Sequence, residues 1–217
     1  MSKNNLRVTV VSTAGSWMNK FLHLLITRLR HEAVNTVLLW DANLIAATDL
    51  VFFLGYNKIV SVNILKRAKH NLVAHASDLP VGKGWSPFVW QILEGKNEIP
   101  VVLFEAEEKV DSGVVYIRDS VCFNGDELLD EIRRDIGNKI VEMCVSFVKQ
   151  YPDILKSGNK QIGQETYCRR RKADDSELNI NKTIAEQFNL LRVVDRHRCP
   201  AFFYYLGKKY KIVISKY

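Results

Sequence analysis

The chain has 217 residues, 47% hydrophobic and 25% charged, the balance of one folded domain or of one domain with a short appendage. With 31 Lys and Arg against 24 Asp and Glu it carries a net charge of +7, which favours anionic partners without naming one. Five Pro and 11 Gly exclude a disordered or collagen-like chain, no apolar run reaches the ~20 residues of a membrane span, and no signal-peptide pattern opens the sequence, so a cytoplasmic protein without membrane contact is expected.

The first two-thirds alternates strand and helix. Residues 6–11 are β-branched and end at the turn 12–15, and Ser16 is a candidate cap for the next helix. Trp17, Phe21, Leu24, Leu25 and Leu29 repeat at helical spacing. Residues 37–40, 49–53 and 71–75 read as short buried strands. Ser86 and Pro87 then mark a helix start, with Gly95 at its end. Residues 99–104 and 114–117 are two further strands. Leu128, Ile132, Ile136, Ile140, Cys144 and Phe147 make the apolar stripe of a long helix that leaves at Tyr151-Pro152, and Gly137 inside it is a site for a kink. Apolar strands alternating with helices predict an α/β fold with a parallel sheet covered on both faces. After Pro152 the chain becomes polar. A basic run from Arg169 to Lys172 precedes Asp174 and Asp175, Thr183 and Glu186 form a capping-box pair, and residues 200–215 read as a terminal β-hairpin.

Parallel sheets bind ligands at the carboxyl ends of their strands. The first such end lacks the glycine pattern of a dinucleotide site, and no phosphate-binding loop of the G-x-x-x-x-G-K-[ST] type is present. Cys122, Cys144, Cys168 and Cys199 are scattered, so no metal site is expected and the thiols read as buried apolar groups. His75 ends a strand where a Gly/Pro-containing loop begins, a place suited to proton transfer, although a strand-end histidine bonded to backbone is the plainer use. Asp111 lies at the outlet of the next strand, where a carboxylate can orient an imidazole or simply form an Asp-Ser-Gly turn. Trp85, Phe88 and Trp90 read first as core. The Arg169 to Lys172 run is a solvated face or a phosphate grip, and it lacks the companions of a nucleic-acid motif.

Taken in order, these segments resemble a known family. His75-Ala76-Ser77-Asp78-Leu79-Pro80, followed by Gly84 and Pro87, resembles the H-x-S-x-L-P loop of formyltransferases that use N10-formyltetrahydrofolate. Lys109-Val110-Asp111-Ser112-Gly113 resembles their D-x-G loop, Phe53-Leu54-Gly55-Tyr56 the strand end that receives the pterin, and Arg170 to Ser176 the R-[RK]-P-E-D-S segment of methionyl-tRNA and sugar formyltransferases. The resemblance spans residues 49–212 and is closest to sugar-nucleotide N-formyltransferases of the pseudaminic-acid-pathway type. It implies a Rossmann-like formyltransferase fold, with a catalytic domain at residues 1–152 and a loop, helix and hairpin appendage at 153–217.

The resemblance also implies the chemistry. The donor would be N10-formyltetrahydrofolate, contacted by Phe53, Leu54, Gly55, Tyr56 and Val110. The acceptor would be the amine of a nucleotide-linked amino sugar, bound by Lys83, Gly84, Trp85, Arg169, Arg170 and Lys172, with Lys83 and the Arg169 to Lys172 run as candidates for its diphosphate. His75 or Asp111 would take the amine proton. The family places an Asn two residues before the histidine to hold the developing oxyanion, and here that position is Val73. Asn71, brought closer by a bulge, or Ser77 is the expected replacement, because losing one such donor costs roughly 3–4 kcal/mol. The chain stops soon after the hairpin, so a tRNA-holding domain is expected to be missing. Three alternatives stay open: an aminoacyl carrier as acceptor, glycinamide ribonucleotide as acceptor, or an inactive folate- or nucleotide-binding homologue. The hairpin and the long helix's stripe also leave a homodimer open.

Overall fold

A computed structural model of the chain describes residues 6–32 and 34–217. In chain order the elements are β1 (Arg7–Val11), α1 (Asn19–His31), β2 (Asn35–Leu39), β3 (Thr48–Phe53), α2 (Val62–Leu65), β4 (Ala68–His75), β5 (Lys83–Gly84), α3 (Pro87–Leu93), β6 (Glu98–Glu105), β7 (Val115–Cys122), α4 (Leu129–Gln150), β8 (Tyr167–Cys168), α5 (Phe188–Val193), β9 (Ala201–Tyr205) and β10 (Lys208–Ile212). None of these helices is long and apolar enough to cross a membrane.

The central sheet has six strands in the order β2-β1-β3-β4-β6-β7. The four strands from β2 to β4 are parallel, whereas β6 runs antiparallel to both β4 and β7. The sheet is therefore mostly parallel with one reversed strand. An apolar run carries no sign of its direction, which is why the sequence pattern does not reveal the reversal. β7 also extends five residues beyond the predicted 114–117 segment. It is an edge strand, and its exposed Arg118 and Asp119 end the apolar run before the pairing ends.

Alternate residues of each strand feed opposite faces. Val8, Val10, Leu50, Phe52, Leu72, Val101 and Leu103 join the main core with α1 and α4. Phe147 of α4 is fully buried there, edge-on to Phe52 at 6.2 Å and to Tyr116 at 5.3 Å between ring centres. Burying a side chain of that size stabilises the fold by about 2 kcal/mol or more. Val11, Val51 and Phe53 face the other way against Ala42 and Ile45, and Val102, Phe104, Leu79 and Val115 form a small cluster beside them.

Five local details differ from the sequence reading. α1 buries Leu22, Leu25 and Leu29, with Met18 fully covered before its first turn, while Leu24 is 44% exposed. Ser16 accepts from the Met18 N–H at 3.3 Å but does not cap the helix, which starts at Asn19. Ser86 likewise makes no side-chain cap, although Pro87 does occupy the first turn of α3. Gly137 serves close packing within the unbroken α4: a Cβ there would lie 2.5 Å from the Phe21 ring, so glycine is what lets α1 approach. Of the four free cysteines only Cys144 is buried.

The chain after Pro152 folds back over the sheet's carboxyl end. β8 pairs in parallel with β5, and β9 and β10 form the expected antiparallel hairpin. Thr183 and Glu186 cap each other, Glu186 accepting from the Thr183 N–H at 2.8 Å and Thr183 Oγ1 from the Glu186 N–H at 3.2 Å. Arg192 of α5 is buried. Its Nη2 donates to Asn97 Oδ1 at 2.6 Å, and Glu127 neutralises it from 3.7 Å.

Candidate active site

β4 ends at His75, and the chain turns through residues 76–82 into β5. The turn is held from three sides. Gln91 of α3 donates to the Ala76 carbonyl at 2.9 Å, Arg118 of β7 pairs with Asp78 and donates to the Leu79 carbonyl at 2.8 Å, and Val81 N–H closes on Asp78 O at 2.9 Å. His75 Nε2 lies 2.9 Å from the Gly82 carbonyl. A carbonyl only accepts, so Nε2 carries the proton and Nδ1 is the basic nitrogen of the neutral ring. The backbone use and the chemical use of this histidine are thus compatible: the hydrogen bond fixes the tautomer and leaves one nitrogen for proton transfer.

Asp111 reaches the same loop from a different strand. Because β6 is reversed, its carboxyl end lies beside Leu72, in the middle of β4, and residues 106–113 travel back toward β5. Asp111 then accepts the Gly84 N–H at 2.9 Å. His75 and Asp111 make no direct hydrogen bond among the described residues, and are joined through the backbone of residues 82–84. Both ends of that link are conformationally demanding. Asp111 has φ +52 and Gly84 has φ +92, and a Cβ on Gly84 would meet the Cys168 carbonyl oxygen at 2.6 Å. A left-handed non-glycine residue is uncommon and clusters where geometry is over-determined.

The expected oxyanion donors fall into different places. Val73 is half-buried among Leu79, Val102 and Phe104, an apolar contact where the family pattern has an amide. Asn71 is a correction: β4 keeps unbroken register with β3 and has no bulge, and the Asn71 amide donates to the Leu65 carbonyl at 2.9 Å. Its side chain is bound two residues down the strand, away from the His75 turn. Ser77 fits better. Its hydroxyl is 1% exposed, has no hydrogen-bond partner among the described residues, and sits where a Cβ on Gly82 would be 3.5 Å from Oγ. A buried unpaired hydroxyl is costly, so Ser77 is a candidate donor to a ligand atom, a property Asn71 Oδ1, also unpaired among the described residues, lacks because an amide oxygen only accepts. Ser77→Ala is therefore expected to leave the melting temperature unchanged or slightly raised, while lowering turnover by about 10²–10³-fold. Thermal melts and turnover of the same preparation check this, and unchanged turnover contradicts it.

The strand end at residues 53–56 is more closed than expected. Phe53 and Leu54 are buried side chains, and the Leu54 backbone is already used: its N–H donates to Val11 O at 2.9 Å and its carbonyl accepts from Ser12 Oγ at 2.7 Å. Gly55 is exposed with φ +62, and Tyr56 is half-buried with its ring 5.8 Å from that of Phe53. Val110, next to Asp111, is an apolar side chain 52% exposed.

The basic residues also separate. Lys83 is a correction: its side chain is 1% exposed and its Nζ is 2.8 Å from Glu165 Oε1, so it is a buried structural ion rather than a free phosphate ligand. Arg169 is committed to Asp175 through contacts of 2.7 and 2.5 Å and lies over Trp90 at 4.8 Å. Arg171 turns inward to the Asp175 carbonyl. Arg170 lies over the exposed Trp85 ring at 5.0 Å and has no carboxylate partner among the described residues, and Lys172 is exposed. Glu165 and Thr166 are functional neighbours that the sequence reading passes over. Their only signal is the short Glu-Thr-Tyr-Cys run after a polar loop.

Residues 9–147 match the formyl transferase family. The chain belongs to that family. The matched region carries His75, Ser77 and Asp111. A methionyl-tRNA formyltransferase from Thermodesulfovibrio yellowstonii is 24% identical over 145 residues, covering 66% of this chain and 47% of that protein, so the chain spans about half the length of the curated relative it matches. HypX from Aquifex aeolicus, solved in complex with tetrahydrofolic acid, superposes with a TM-score of 0.81 at 15% identity, over 96% of this chain and 37% of that one. A 4-N formyltransferase from Francisella tularensis superposes with a TM-score of 0.69 at 18% identity, over 96% and 97% of the two chains. These likenesses establish the formyl transferase fold, and the mostly parallel six-stranded sheet with its C-terminal hairpin is that fold.

Proposed function

We propose that the protein transfers a formyl group from N10-formyltetrahydrofolate to the amine of a nucleotide-linked amino sugar. The observation that carries the reading is the meeting of His75 and Asp111 at residues 82–84, reached from two separate strands within the span that matches the family. The donor supplies an activated formyl carbon on N10. Gly55, Tyr56 and Val110 are the exposed or half-exposed residues of this chain suited to hold it, and the unpaired Ser77 hydroxyl fits its formyl oxygen. As the acceptor amine bonds to the formyl carbon and the carbon–N10 bond breaks, Ser77 donates to the oxygen that gains charge. His75 Nδ1 takes the amine proton and returns a proton toward the departing nitrogen. Asp111 holds the loop that carries His75's partner carbonyl and places a negative charge near the cationic stage of the transfer.

The acceptor class rests on Arg170. With Lys83 and Arg169 bound to carboxylates, Arg170 and Lys172 are the cations of the set left for a phosphate, and Arg170 is stacked on Trp85, next in sequence to Gly84. A guanidinium held flat by an aromatic ring suits bidentate diphosphate recognition. Arg170→Ala is expected to raise the acceptor KM about tenfold, with kcat and the donor KM within about twofold. Initial rates on UDP- and dTDP-linked 4-amino sugars, against glycinamide ribonucleotide and an aminoacyl carrier, read this out. An unchanged acceptor KM, or faster turnover of an acceptor without a diphosphate, overturns the sugar-nucleotide assignment.

A further inference from the structure

We infer that Glu165 is a positioning residue whose carboxylate locks the His75 loop and the Asp111 loop into one unit. Two lysines from different loops converge on one oxygen: Lys83 Nζ and Lys109 Nζ each lie 2.8 Å from Glu165 Oε1, while the Tyr167 hydroxyl donates to Oε2 at 2.8 Å. Lys83 sits between Gly82, the partner of His75, and Gly84, the partner of Asp111. Lys109 stands two residues before Asp111. The Lys83 ammonium is buried, and Glu165 is the carboxylate that neutralises it. A buried ammonium without its counter-ion is strongly unfavourable, so the carboxylate and residues 82–84 keep each other in place.

The strap that carries Glu165 is fixed to the same loop by backbone. Thr166 Oγ1 accepts the Gly82 N–H at 2.8 Å, Thr166 O accepts the Lys83 N–H at 2.9 Å, and Cys168 O accepts the Trp85 N–H at 2.9 Å. Hydrogen bonds from Lys109, Lys83 and Tyr167 lower the pKa of the Glu165 carboxyl to about 2, so it is ionised at neutral pH. The backbone pairs set the strap's register, and the carboxylate adds the Asp111 loop, which has no other ion pair to the strap among the described residues. Among the described residues Glu165 makes no hydrogen bond or ion pair with His75 or Asp111. Its effect on the reaction passes through the loops.

The kinetic part of this inference rests on the formyl-transfer reading, and the structural part does not. Glu165→Gln, Glu165→Asp and Lys109→Met are compared by amide hydrogen exchange and by initial rates. Glu165→Gln is expected to lower protection of residues 80–84 and 106–113 at least about tenfold, with β3 and α4 unchanged. It is also expected to lower kcat about tenfold with both KM values within about threefold, and Glu165→Asp to recover part of the loss. Lys109→Met is expected to loosen residues 106–113 alone, and it keeps the test available if the glutamine variant does not fold. Wild-type protection of both loops in Glu165→Gln, or equal loosening of the whole chain in Lys109→Met, overturns the inference. If the wild-type protein formylates no acceptor, the formyl-transfer reading fails while the exchange data still decide the role of Glu165.

Discussion

Replacing His75 with alanine is expected to lower formyl transfer by about 10²–10⁴-fold, the range for removing a positioned acid–base group. The fold is expected to lose only about 1 kcal/mol, because the side chain is half-buried and its one hydrogen bond among the described residues goes to the Gly82 carbonyl. That bond creates an ambiguity which a second variant removes. His75→Gln keeps an N–H donor for Gly82 O but has no basic nitrogen. If the imidazole moves a proton, both variants fall together. If it only anchors the loop, His75→Gln retains most of the wild-type rate. Turnover at saturating donor and acceptor, measured beside thermal melts, separates the two.

Gly113→Ala is expected to cost about 3 kcal/mol of stability, near the upper end for overpacking. A Cβ at this position would lie 1.9 Å from the Glu105 carbonyl oxygen and 2.8 Å from its carbon, both backbone atoms of β6. The strand cannot simply move aside. Glu105 N–H donates to Val114 O at 2.8 Å, and the Glu105 carboxylate accepts the Asn71 N–H at 2.6 Å and the Tyr116 hydroxyl at 3.0 Å. Displacing β6 there also shifts the loop that presents Asp111 to Gly84, so turnover falls with stability. Gly95→Ala is the control. Gly95 has φ +88 and nothing within 4 Å of its would-be Cβ, so only the left-handed backbone is penalised, by about 1 kcal/mol. Equal losses in the two variants in a urea titration contradict this account.

Much of the scaffold is legible because burial leaves a periodic trace. β3 is buried at every residue and its last four residues, Leu50 to Phe53, read as a continuous apolar run, the stripe from Leu128 to Phe147 becomes α4, and Thr183 with Glu186 marks the approach to α5. The direction of β6 leaves no trace, and neither does the β5–β8 pairing, which is two residues long on each side and polar on one. At the site, His75, Asp111 and Gly84 are legible as an ordered set of loop residues. Their connection through backbone rather than by direct contact is not. Charge misleads most. Lys83 and Arg169 read as free cations, yet each is bound to a carboxylate, Lys83 to Glu165 far along the chain and Arg169 to Asp175 six residues on. A sequence shows that a cation is present, but its partner depends on how the polar segment after Pro152 folds back.

The most direct test is the fate of the formyl group. The wild-type protein is incubated with N10-formyltetrahydrofolate and a UDP- or dTDP-linked 4-amino sugar, and acceptor mass and tetrahydrofolate release are followed together. The account predicts one formyl group gained per tetrahydrofolate released, with the rate lowered about 10²–10⁴-fold in His75→Ala. Release of tetrahydrofolate without a formylated acceptor, or equal rates for wild type and His75→Ala, would contradict it.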